Sequence, residues 1–155
     1  LRMEAEKRGI SVERVVFAEK IAPSELLGRN RLADLFVDTF NYNAHTTASD
    51  ALWVGLPVVT KMGRGFAARV AGSLLSAVGL PELITETAGD YEALILALAT
   101  DPHRLAAIRQ KLAANRLSAP LFDTELFIRH LENGYQQAYQ NYFDGEAPKR
   151  ILVAR

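Results

Sequence analysis

At 155 residues the chain has the length of one domain, and 49% hydrophobic against 23% charged residues is enough to fill a core, which excludes a disordered polymer. Lys+Arg and Asp+Glu are both 18, so there is no basic surplus to drive non-specific nucleic-acid binding. With no cysteine, disulfides, zinc–thiolate sites, iron–sulfur clusters and thiol nucleophiles are excluded.

No stretch approaches the ~18 uninterrupted apolar residues of a membrane span. The opening Leu-Arg-Met-Glu-Ala-Glu-Lys-Arg-Gly has no signal-peptide apolar region, so the expected setting is cytoplasmic, with no membrane partner. Leu1 stands inside what reads as a helix, so more chain is expected upstream. That helix runs to Arg8, with Gly9 at the left-handed position after it.

Residues 14–18 (Arg-Val-Val-Phe-Ala) read as a buried strand and 24–30 as a short helix. A second strand is expected over 35–38, a helix over 46–54 closed by Gly55 and Pro57, and a third strand over 58–60. Residues 66–78 read as one helix stopped by Gly79 and Pro81, and 82–85 as a fourth strand. The remainder reads as helices over 90–99, 102–115 and about 124–143. In the last helix Phe127, Leu131, Tyr135, Ala138 and Tyr142 repeat at helical spacing. Short strands alternating with helices predict an α/β fold: a Rossmann-like parallel sheet with helices on both faces, ending in a long helix. In such sheets ligands sit at the carboxyl ends of the strands, so the loops after Ala18, Asp38, Thr60 and Thr85 are the ones to search.

The loop after Asp38 carries the most chemistry, because it runs Thr-Phe-Asn-Tyr-Asn-Ala-His-Thr-Thr into a helix. A helix N-terminus offers unpaired N–H groups and a positive dipole end, both favourable to an anion. Thr46 and Thr47 add hydroxyl donors, and His45 adds a ring N–H or a full charge. Asp50 lies one turn later, placed for a diol such as a ribose. Together these are the donors and acceptor that a nucleotide diphosphate needs. The same Thr47-Ala48-Ser49-Asp50 also reads as a capping box that would satisfy the helix's own amides. Both readings stand on spacing.

After the third strand, Gly63-Arg64-Gly65-Phe66-Ala67-Ala68 matches the G-x-G-x-x-A pattern of dinucleotide-binding folds. It follows the wrong strand, and the acidic residue expected about 20 positions later at a strand end has no good candidate. A glycine-lined turn that brings Arg64 near the ligand mouth fits the pattern better, and a plain flexible loop fits it better still. His45, His103 and His130 have no metal-ligand spacing, no G-x-S-x-G elbow is present, and no metal is expected.

The runs Leu32-Ala33-Asp34-Leu35-Phe36-Val37-Asp38-Thr39 and Tyr42-Asn43-Ala44-His45-Thr46-Thr47-Ala48-Ser49-Asp50-Ala51-Leu52-Trp53 resemble the O-linked N-acetylglucosaminyltransferase family, in particular its bacterial tetratricopeptide-bearing members. Gly55-Leu56-Pro57-Val58-Val59-Thr60, Gly79-Leu80-Pro81-Glu82-Leu83 and Pro120-Leu121-Phe122-Asp123-Thr124 extend the likeness.

The resemblance implies a metal-independent, two-Rossmann-domain (GT-B) enzyme that uses a UDP-sugar to glycosylate protein Ser or Thr with inversion. It makes this chain a single domain of the C-terminal half, with UDP-sugar binding over about 1–122 and a C-terminal helix over about 123–144. By the same likeness His45, Thr46 and Thr47 meet the pyrophosphate and sugar, with His45 catalytic, and Asp50 meets the ribose. UDP-sugar is a substrate, so no cofactor is implied. Hexose transfer to protein Asn and a non-catalytic UDP-binding module are the alternatives.

Two positions depart from the family pattern. Its histidine after Glu25, against the uracil, is Leu26 or Leu27 here, which packs on a base without hydrogen-bonding it. Its Pro-Gly after the third strand is Met62-Gly63. The family's UDP-neutralising lysine and acceptor-side half lie upstream of this region, so the 155 residues alone are expected to be inactive and to self-associate through uncovered surface.

Overall fold

A computed structural model describes residues 1–153. Three strands, β1 (Phe36–Val37), β2 (Val58–Lys61) and β3 (Ile84–Thr85), form a parallel sheet in sequential order. The register pairs Phe36 with Val58 and Val37 with Val59, then Thr60 with Ile84 and Lys61 with Thr85. Parallel strands need crossovers. Here α3 (Thr46–Trp53) joins β1 to β2, and α4 (Val70–Ala77) joins β2 to β3. Before β1 come α1 (Arg2–Glu6) and α2 (Pro23–Asn30). After β3 come α5 (Ala88–Thr100), α6 (Pro102–Asn115) and α7 (Thr124–Phe143).

Successive side chains of a strand point to opposite faces of the sheet. Val58, Val59 and Thr60 are all fully buried, so both faces of β2 are covered. The helices α3, α4 and α5 pack against that strand. Leu52, Leu75, Leu80, Leu83, Leu98 and Leu112 fill the core around it. The α/β fold expected from the alternation of elements is the one observed, and the sheet order places the carboxyl ends of all three strands along one edge.

Residues 14–18 form no strand. A 3₁₀ turn covers Val12–Arg14 and the chain continues irregularly, with Val16 81% and Phe17 58% exposed. A β-branched run becomes a strand only where a neighbour pairs with it and covers one face. This run meets Arg2 instead, which donates to the Val15 carbonyl and lies over the Phe17 ring. The expected helix over 66–78 is also broken. A 3₁₀ turn at Phe66–Ala68 comes first, and the α-helix begins only at Val70, after a non-helical residue at Arg69 (φ -123°, ψ -11°). Of the expected strand over 82–85, Pro81–Leu83 forms a 3₁₀ turn in which Pro81 fits the first position, leaving Ile84–Thr85 as the strand. Gly9 and Gly79 both adopt the left-handed conformation at helix ends, as expected of C-terminal glycines.

Candidate functional site

Three loops leave the carboxyl ends of the strands, and the one after β1 builds a depression of about 450 Å³. Its lining includes Asp38, Thr39, Tyr42, Asn43, His45, Thr46 and Thr47. The loop is fastened by polar contacts rather than by apolar burial. Asp38, 5% exposed, accepts the Ala44 N–H on Oδ1 at 2.7 Å and the Thr60 hydroxyl on Oδ2 at 2.6 Å. Its backbone carbonyl accepts the Tyr91 hydroxyl at 2.5 Å. Burial, with the Asp38 charge as a smaller contribution, pushes the Tyr91 phenol up to about 12. The Thr39 hydroxyl donates to the Tyr42 carbonyl and the Asn43 side-chain amide to the Thr39 carbonyl, which closes the loop on itself.

The loop after β2 meets this one through a single carbonyl. Ala67 O accepts the Asn43 N–H at 2.8 Å and lies 3.4 Å from His45 Nε2. A carbonyl only accepts, so this contact puts the ring proton on Nε2. Nδ1 is then left to accept when the ring is neutral and to donate when it is protonated. Tyr42 stacks on the imidazole, with centroids 4.7 Å apart and planes 14° apart, and Phe66 meets its edge. Phe66 itself is 82% exposed.

His45 is the N-cap residue of α3, and no side chain caps the helix. Its carbonyl accepts from the amides of Ala48 and Ser49, whereas the amides of Thr46 and Thr47 find no acceptor among the described residues. The capping box expected at Thr47–Asp50 is not formed, because the helix starts one residue before Thr47. Like α3, α4 has no side-chain cap, whereas α5, α6 and α7 do: Thr87, Asp101 and Asp123 each accept a first-turn N–H with their own side chain. Two backbone donors and two exposed hydroxyls thus remain free at the mouth of the depression.

Of the four residues singled out in the sequence, the depression brings together His45, Thr46 and Thr47. Asp50 stands one turn along α3, outside that lining, half-buried and without a hydrogen-bond partner for its carboxylate among the described residues. Arg64 is exposed and lines none of it. The G-x-G-x-x-A pattern has a packing explanation: a Cβ on Gly63 would stand 2.4 Å from Ala68 Cβ. Lys61, Arg64 and Arg69, on the strand end and loop beside the site, belong to none of the ion pairs among the described residues. No group of three or more His, Cys, Asp or Glu side chains suited to a metal gathers among the described residues. Nor is any helix there long and apolar enough to cross a membrane.

No pattern along the chain marked the roles of Asn43, Ala67 and Tyr91. The bonds of Asn43 and Ala67 are backbone contacts between loops, and Tyr91 reaches Asp38 from 53 residues away. Asp38 alone left a trace, as a carboxylate ending an apolar strand.

Residues 1–131 match the family described as glycosyl transferase family 41. The chain belongs to that family. Over 153 residues it is 35% identical to the probable UDP-N-acetylglucosamine–peptide N-acetylglucosaminyltransferase SEC of Arabidopsis thaliana, covering 98% of this chain and 16% of that protein. Over 145 residues it is 37% identical to the UDP-N-acetylglucosamine–peptide N-acetylglucosaminyltransferase of Caenorhabditis elegans, covering 94% of this chain and 13% of the relative. The solved structure of a mutant Thermobaculum terrenum O-GlcNAc transferase superposes with a TM-score of 0.84 at 33% identity, over 90% of this chain and 27% of that one. This family 41 chain therefore has the α/β fold of the O-GlcNAc transferases, and it spans a small part of the relatives' length.

Proposed function

We propose that the chain is the nucleotide-sugar-binding part of a protein O-glycosyltransferase, carrying N-acetylglucosamine from a UDP-sugar to Ser or Thr hydroxyls with inversion. The observation that carries this reading is the uncapped N-terminus of α3, where the Thr46 and Thr47 amides and hydroxyls open onto the depression beside His45. Free N–H groups at a helix N-terminus suit a diphosphate. Asp50, one turn on with an unpartnered carboxylate, suits the ribose hydroxyls.

In the transfer, the acceptor hydroxyl oxygen bonds to the anomeric carbon as that carbon's bond to the diphosphate oxygen breaks. The bonding pair leaves with UDP and the acceptor hydroxyl gives up its proton, so the products are glycosylated protein, UDP and a proton. Negative charge then grows on the diphosphate, and donors fixed in advance at that point lower the barrier without reorganising. In this chain they are the α3 amides, the two hydroxyls and His45. The acceptor-side half belongs to sequence upstream of these residues, a cytoplasmic setting goes with the reading, and no metal or cofactor takes part.

Incubating the intact enzyme with UDP-N-acetylglucosamine and acceptor protein tests the reading. Transfer to Ser or Thr, read by mass spectrometry and lost on β-elimination, is the expected result. Sugar that survives β-elimination would mean transfer to Asn. Leu26 or Leu27, standing where the resembled family carries a histidine, favours a second reading, a module that binds UDP weakly without transfer. Binding of UDP with no product would select it.

A further inference from the structure

A carboxylate at 5% exposure is held by an N–H and a hydroxyl, and none of the ion pairs among the described residues includes it. Burying a charge without a cation is costly, so a position like Asp38 asks for a reason beyond filling space. Its geometry supplies one. Extending the β1–β2 register by one residue sets Asp38 beside Thr60, and Oδ2 takes that hydroxyl. The Thr60 carbonyl in turn accepts the Thr85 hydroxyl at 3.0 Å. A polar chain therefore runs across the carboxyl ends of all three strands and finishes on Asp38 Oδ1, which grips the Ala44 amide. Ala44 is the residue before His45, and His45 opens α3. From α5 the Tyr91 hydroxyl donates to the backbone carbonyl of Asp38 itself.

We infer that Asp38 is a positioning residue of the donor site: its carboxylate transmits the rigidity of the sheet edge to the Ala44–Thr47 segment, so that His45 and the free α3 amides are fixed before ligand arrives. Each carboxylate oxygen already accepts one hydrogen bond and the residue is 5% exposed, so the role assigned to Asp38 runs through Ala44. The inference rests on the donor-site reading given above.

The test is titration of the intact enzyme with UDP, comparing the parent with Asp38→Ala and Asp38→Asn. A variant that only destabilises the fold lowers the number of binding sites and leaves the Kd of the folded fraction unchanged. A positioning role changes Kd itself. Asp38→Ala is expected to raise the Kd for UDP by about 10–100-fold at full stoichiometry, the scale of a hydrogen bond to a charged group. Asp38→Asn keeps an acceptor for the Ala44 amide, and its NH₂ finds the Thr60 hydroxyl able to turn and accept, so it should recover most of the affinity. Reduced stoichiometry with unchanged Kd in Asp38→Ala would overturn the proposal, as would an Asp38→Asn variant as weak as Asp38→Ala. A parent that does not bind UDP at all would instead defeat the donor-site reading on which this one stands.

Discussion

His45 is held from three directions: Tyr42 stacked on its face, Phe66 at its edge and the Ala67 carbonyl at Nε2. A side chain fixed this way beside free amides is arranged for charge that grows in the transition state, and such a group affects turnover more than ground-state binding. His45→Ala in the intact enzyme is expected to lower kcat by about 10²–10³-fold, the usual cost of one such donor, with a much smaller change in UDP affinity. Steady-state kinetics together with a UDP titration checks the split. Turnover within a few-fold of the parent would remove His45 from the site. Tyr91 makes a second residue-level prediction. Its phenol is raised to about 12 in the fold, whereas an unfolded tyrosine ionises near 10. Between those values the unfolded chain releases a proton that the folded chain keeps, so Tyr91's contribution is intact below about pH 10 and lost by about pH 12. Tyr91→Phe removes the hydrogen bond to the Asp38 carbonyl and should be less stable than the parent at neutral pH. The gap should close across that window in denaturant melts at stepped pH, because only the parent must keep a buried phenol protonated. A gap that stays constant to pH 12 would contradict the assignment.

The β2–α4 connection is the element on which the site depends without contributing a ligand. Gly63 lets Ala68 approach, and that approach sets the position of the Ala67 carbonyl. Gly63→Ala would force the 2.4 Å overlap with Ala68 Cβ to relax, at an expected cost of about 1–3 kcal/mol for overpacking. Adding Ala68→Gly should restore most of the lost stability, as measured by denaturant unfolding; two losses that simply add would refute the contact.

How far the elements were legible follows from the same physics. Helix α7 runs over the residues expected from its spacing, and α6 over the expected 102–115. The strand expected over 14–18 failed because β propensity says nothing of whether a partner strand lies alongside. The helix expected over 66–78 failed at its start, where the Ala68–Gly63 approach, invisible in the local pattern, takes the first turn. At the site, the residues 45–47 were readable because a helix start and its donors are contiguous in sequence. The Asp38–Thr60–Tyr91 contacts were not, because strand register and a bond across 53 residues bring them together.

On the scale of the molecule, the asymmetry lies in α7, which contains no buried residue. Phe127, Leu131, Tyr135, Tyr139, Tyr142 and Phe143 are all exposed. Contiguous apolar surface of this kind marks an interaction face. The 155-residue chain on its own is expected to self-associate, and sedimentation velocity over a concentration series should show the mass rising. Substituting Tyr135 and Tyr142 with Glu should return it to a monomer; a parent chain monomeric at every concentration would refute the expectation. The carboxyl edge of the sheet carries the main proposal, that the N-terminus of α3 is a diphosphate site. Calorimetric titration of the intact enzyme with UDP, before and after the paired change Thr46→Val and Thr47→Val, tests it most directly. That change keeps the shape of both side chains and removes only the hydroxyls. The account predicts a parent that binds UDP and a variant at least about 10-fold weaker, since each hydrogen bond to a charged phosphate contributes about 1.5–3 kcal/mol. Equal affinity in the two proteins would contradict it.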